Sequence, residues 1–224
     1  MLLQPGLQWT LTHDSTHLQG TISQAVSARA YASRRTEGLY RPFPEGVFPG
    51  LVTSDAEGEV VFEGTNPIWA RHLGIPPRFA SPVHLTIRGG FIREFRGGPE
   101  ADQLRDCYSV IAGELGEEAY RIRGVHGGVH PYAHVGPHQC PDEAYRTFID
   151  HHHWSSVHVH LGNSQRKADF PYNMHVTAAM RGASLQVSDR FVWERGRLTS
   201  VDSPIVQQIA ARYPDRPGLD ASRW

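Results

Sequence analysis

Lysine is nearly absent from this chain: Lys167 stands alone against 21 arginines. That imbalance reads first as the arginine bias of a GC-rich coding sequence, with functional arginine patches as the alternative. Cysteine is almost as scarce. Cys107 and Cys140 do not make a disulfide framework, and no C-x-x-C pair offers a structural zinc site. No stretch approaches the roughly 18 consecutive apolar residues that a membrane span needs. The start, Met1-Leu2-Leu3-Gln4-Pro5-Gly6, lacks the basic region and apolar run of a secretory signal. Neither sign of charge is in excess. A net charge of -1 and a pI near 6.9 create no field that would attract nucleic acid or an anionic membrane. These absences argue against a nucleic-acid partner, a membrane partner and a secreted disulfide scaffold, and the expectation is a cytoplasmic protein.

What the chain does have is ordinary globular composition and an uneven supply of histidine. Hydrophobic residues make up 39% and charged residues 20% of 224, enough for one large core or two small ones. Ten of the 14 histidines fall between His126 and His175. Imidazole both ligates metals and moves protons near neutral pH, so this stretch marks the expected functional face.

The surrounding pattern is mostly β. Residues 1–50 mix short alternating stretches, 7–12 and 17–23, with breakers, and residues 41–50 carry three prolines; we expect an irregular N-terminal extension. Residues 59–63 read as a strand. Residues 83–87 and 91–95 flank Arg88-Gly89-Gly90 as a hairpin. Gly97-Gly98-Pro99 opens a helix whose stripe is Ala101, Leu104, Tyr108, Ile111 and Leu115, with Gly116 as the stop and Cys107 as a structural thiol beside the stripe.

Histidines 126, 130, 134 and 138 have helical spacing, but Gly127-Gly128, Pro131 and Gly136-Pro137 rule out a regular helix. A short helix is expected over 142–149. In the strand 157–161 a period of two puts His158 and His160 on one face. Residues 174–179, 183–188 and 190–198 read as strands, and 205–213 as a last amphipathic helix. The sum is α+β: an antiparallel-rich sheet with a few helices, residues 51–224 forming a single domain behind the 1–50 extension.

In this order the motifs resemble the C-terminal domain shared by aminopeptidase T-type metallopeptidases and 2,5-dihydroxypyridine dioxygenases. The likeness rests on the strand 59–63, the hairpin at Arg88-Gly89-Gly90, the Gly97-Gly98-Pro99-Glu100-Ala101 helix entry, the glycine-rich stretch 124–131, His158-Val159-His160-Leu161-Gly162-Asn163 and His175-Val176-Thr177. By that resemblance His158 matches a ligand histidine of the peptidases. His175 matches the first residue of an H-x-D ligand pair whose aspartate is Thr177 here. A third ligand, glutamate or histidine in those families, aligns with or near Gly124. The family also implies a homodimer.

Two readings of the site follow. In the first, the loss of carboxylates leaves a non-catalytic peptide-binding protein on a degenerate metallopeptidase-like domain. It would present a precursor peptide to partner enzymes in peptide natural-product biosynthesis, with Tyr132, His158, His160, Tyr172 and His175 lining the groove and no cofactor. In the second, His126 or His130 joins His158 and His175 to bind zinc or iron. The chain is then a metal-dependent hydrolase or non-haem iron oxygenase, with His160 or Tyr172 handling protons or His160 as a fourth ligand. His151-His152-His153 is expected to be a solvated run. Tyr120, Tyr132, Tyr145, Trp154, Phe170 and Tyr172 are expected mainly to pack.

Overall fold

Alternation of apolar and polar residues along short segments closes here into one sheet of twelve strands. The computed structural model describes residues 4–25, 50–65, 73–162 and 176–215. In chain order the elements are β1 (Gln8–His13), β2 (Thr16–Ala25), β3 (Gly50–Thr53), β4 (Glu57–Gly64), β5 (Arg78–Arg88) and β6 (Phe91–Arg96), then helix α1 (Pro99–Leu115). There follow β7 (Ile122–Gly127), helix α2 (Glu143–Asp150), β8 (Ser156–Leu161), β9 (Val176–Arg181), β10 (Ser184–Val187), β11 (Arg190–Glu194), β12 (Arg197–Leu198) and helix α3 (Pro204–Ala211). The class is α+β, with every strand pair antiparallel.

Strand β2 organises the rest. One edge pairs with β1 along Thr16–Thr21. The other edge is shared: His17–Gln19 pair with β4, and beyond a register shift at Ile22–Gln24 the strand pairs with β3. The sheet therefore divides into a β4-β5-β6 limb and a β3-β7-β8-β9 limb. Expectation and structure differ at this point, because residues 8–25 are not an irregular extension. They supply two strands of the sheet, and Trp9, Leu11, Leu18 and Ile22 are buried in its core. The described residues place no boundary between strands 1–2 and the remainder; the proline-rich run 41–49 lies outside them.

Helix α1 forms as its sequence dictates. Pro99 occupies the first turn behind the N-cap Gly98, Glu100 and Asp102 sit where the helix dipole favours negative charge, and Gly116 ends it. Its stripe of Ala101, Leu104, Tyr108, Ile111 and Leu115 is buried, and the helix packs against β5 and β6. Each large aliphatic side chain so buried contributes about 1.5–3 kcal/mol. Tyr108 stacks on Tyr120 at 5.6 Å, and Glu100 Oε1 accepts from the Ala80 N–H, tying the helix to β5. Cys107 packs half-buried beside the stripe, and burial pushes its thiol pKa up, as suits a structural thiol. Among the described residues no helix is long and apolar enough to cross a membrane.

Candidate metal centre

The β3-β7-β8-β9 limb carries the histidines. In antiparallel pairing, residues directly opposite project from the same face, and so do alternate residues along each strand. On β8 that face holds Ser156, His158 and His160. Register sets His126 of β7 opposite His158 and Gly124 opposite His160. On the other side β9 sets Arg181 opposite Ser156, Ala179 opposite His158 and Thr177 opposite His160. Three imidazoles from two strands therefore converge. Ligand nitrogens of His126, His158 and His160 all lie within 4.8 Å of one another. Ring centroids are 4.3 Å apart for His126 and His160, 4.9 Å for His158 and His160, and 5.7 Å for His126 and His158. His158 is 1% exposed, and the other two are half-buried. Space for the His126 ring comes from Gly50 on β3, where a Cβ would sit 2.8 Å from the imidazole.

A fourth histidine lies against this group. His151, at the C-terminal end of α2, stacks on His158 with ring centroids 3.6 Å apart and planes 30° apart. The Asp142 side chain caps α2 by accepting from the Tyr145 N–H at 3.1 Å, and the helix brings its last turn over the histidine face. The expectation of a solvated 151–153 run is thus corrected. His151 and His152 are 8% and 6% exposed, and His152 Nδ1–H donates to the Phe148 carbonyl at 3.0 Å. His153 Nδ1 accepts from the Ser155 N–H and its Nε2–H donates to the Pro131 carbonyl. Burial, and then the charge of Arg181, hold its pKa below the ordinary value.

The other candidate positions are placed elsewhere. His130 is not in the group; it bridges to His153 and its Nδ1 accepts from the Tyr132 N–H at 2.9 Å. Burial lowers its pKa, with the nearby His152 adding to the effect. Tyr132 is half-buried in the same loop, its ring 6.2 Å from that of His130. His134 pairs with Asp150 at 2.7 Å, and Asp150 also takes Arg181 at 2.9 Å. Tyr172 and His175, with Phe170, lie outside the described residues. Trp154 and Tyr120 pack as expected, whereas Tyr145 is 51% exposed.

At two positions the absence of a carboxylate has a structural setting. Thr177, 2% exposed, faces His160, and its N–H donates to Thr65 Oγ1 at 3.2 Å. At Gly124 a Cβ would lie 2.0 Å from the Leu51 carbonyl oxygen, so β3 and β7 approach too closely there for any side chain. Among the described residues the group is made of imidazoles alone. Such a donor set suits zinc, iron, nickel or copper and adds no negative charge to the ion it holds.

Beside the histidines, on the same face, a cleft of about 400 Å³ opens between β9, α2 and the β4-β5 hairpin. Its walls include His151, Ser156, Ala179, Asp150, Arg181 and Arg78.

No protein-family model and no curated protein matches the chain, but solved structures do. The 2,5-dihydroxypyridine dioxygenase from Pseudomonas putida KT2440 is similar over 92% of this chain and 57% of its own, with a TM-score of 0.65 and 19% identity. Wild-type AmpT from Thermus thermophilus is similar over 87% of this chain and 50% of its own, with a TM-score of 0.47 and 14% identity. The first likeness establishes the fold: an antiparallel α+β domain of the dioxygenase's kind. This chain spans little more than half the length of that protein.

Proposed function

We propose that this chain is a metal-dependent enzyme in which His126, His158 and His160 hold a divalent transition ion, zinc or iron, beside a substrate cleft. The observation that carries this reading is the convergence of three imidazole nitrogens within 4.8 Å on one sheet face. A divalent ion there supplies Lewis acidity, polarising a carbonyl or lowering the pKa of water. The chain's own residues set the conditions. His158 is buried, and Gly50 and Gly124 bring β3 close behind the ligand strand. His151 covers His158 from the α2 side and forms part of the cleft wall. It is placed to order a substrate against the centre and to exclude water from it.

A second reading is supported by Thr177 and Gly124, which stand where the resemblance implies an aspartate ligand and a glutamate or histidine ligand. On it, the domain binds a peptide without cutting it and passes that peptide to partner enzymes. The sequence alone favours this one; the three-imidazole geometry reverses the order.

Metal analysis of protein purified without a histidine tag decides between them. The first reading expects stoichiometric zinc or iron, lost in His126→Ala, His158→Ala and His160→Ala and retained in His130→Ala. Protein that takes up no zinc or iron on dialysis, yet binds peptide by calorimetry, refutes the first reading and supports the second.

A further inference from the structure

The cleft beside the histidines has a chemical direction. Its sheet floor is the continuation of the histidine face: Ser156 and Arg181 form the registered pair next to His158 and Ala179. Two residues along a strand span about 7 Å, so the Arg181 position lies about 7 Å from the His158 position and about 14 Å from that of His160. Arg181 is a half-exposed cation whose Nη2 meets Asp150 Oδ2 at 2.9 Å and His134 Nδ1 at 3.3 Å. Its Nε and Nη1 have no partner among the described residues. The guanidinium carries five donors in a planar fork, so it can bind an oxyanion while keeping Asp150.

The remaining charges bear on the choice of ligand. Arg78, also on the cleft wall, makes a 3.5 Å exposed pair with Glu143; Glu63 is exposed on β4, and Asp150 is held by Arg181 and His134. Two arginines stand against three carboxylates here, so a pull on an anion comes from Arg181 itself and from the centre. On the metal reading, the three imidazoles, the donors among the described residues, leave a divalent ion its double charge, which favours an anionic ligand.

We propose, on the basis of the metal reading above, that the cleft binds a small carboxylate-bearing substrate, with Arg181 anchoring the carboxylate about one registered strand pair from the metal ligands. Arg181 is a specificity residue on this view. It fixes which end of the substrate faces the histidines.

The test is calorimetric titration of tag-free protein, zinc-loaded and zinc-free, with benzoate, its neutral isostere benzamide, and inorganic phosphate. Wild type is expected to bind benzoate at least tenfold more tightly than benzamide. Arg181→Gln is expected to lose that preference while its zinc uptake in equilibrium dialysis is unchanged, and Arg181→Lys to recover only part of it. Equal binding of benzoate and benzamide, or a preference that survives Arg181→Gln, overturns the proposal; phosphate binding more tightly than benzoate overturns the carboxylate assignment. Failure of the wild type to take up zinc sinks the metal reading instead, and an Arg181-dependent benzoate preference in zinc-free protein then still supports the anchor.

Discussion

Replacing Thr177 with aspartate tests the centre more sharply than deleting a histidine. Thr177 and His160 are directly opposed on β9 and β8, and such pairs have Cβ atoms about 4.5–5.5 Å apart. A carboxylate at 177 therefore enters the space that the three imidazoles share. Without metal it is a burden. The site is 2% exposed, and a buried polar group lacking full satisfaction costs about 1–3 kcal/mol. For a chain of this size each kcal/mol moves Tm by about 2–4 °C, so the metal-free variant should melt about 2–12 °C below wild type. With zinc the new group gains an offsetting interaction, because an anionic donor joins the three imidazoles. A tenfold gain in affinity is about 1.4 kcal/mol and appears in full as added stability once both proteins are saturated. The Tm gap to wild type should therefore narrow by about 3–6 °C on zinc addition. Thr177→Asn, a neutral isostere of the aspartate, should show the loss without the recovery. Scanning calorimetry with and without zinc reads all three proteins. If the gap for Thr177→Asp is the same in both conditions, no metal sits against that face and the proposed centre is wrong.

Two glycines should respond in opposite directions to alanine. Gly124→Ala drives a methyl into the Leu51 carbonyl oxygen and should cost at least about 1–3 kcal/mol in urea unfolding, whereas Gly113→Ala, in the last turn of α1 with open space around it, should gain up to about 1 kcal/mol. A stabilised Gly124→Ala would refute the tight β3–β7 approach. Acid should weaken the fold through His130 and His153. Burial holds both below the ordinary 6.5 in the native state, so the unfolded chain binds protons first. Their contribution is intact above pH 6.5 and is lost as pH falls through the lower native values. Urea midpoints measured from pH 7.5 to 5 should fall, and His130→Gln should flatten that slope; an unchanged slope in the variant would rule out the His130 share.

How much of this was legible in the sequence depends on how far apart the deciding residues lie. Helix α1 was readable because its proline, its stripe and its terminal glycine sit within one segment, and local propensity and burial agree there. The shared face of His158 and His160 was readable for the same reason, since period two needs only three consecutive residues. The choice between His126 and His130 was not. It depends on the β7–β8 register and on the shift between Ile122 and Gly124, which no local pattern announces. His151 was misjudged because adjacency in a histidine run says nothing about which ring a neighbouring strand will cover. Strands β1 and β2 were visible as alternation but not as sheet members, because their partners β10 and β4 come from distant parts of the chain.

Gly124 and the three-histidine face are set by one strand register. Gly124 lies opposite His160, and the Leu51 carbonyl leaves no room there for a side chain. Two residues along the same strand, His126 projects from the same face opposite His158, its ring against Gly50 of the neighbouring strand β3. From there its ring reaches the space shared with His158 and His160 of β8. On the proposed metal reading, an ion that takes only these three imidazoles keeps its full positive charge and draws its counter-charge from an anionic ligand. The cleft that runs from His151 to Arg181 is the place proposed for that ligand.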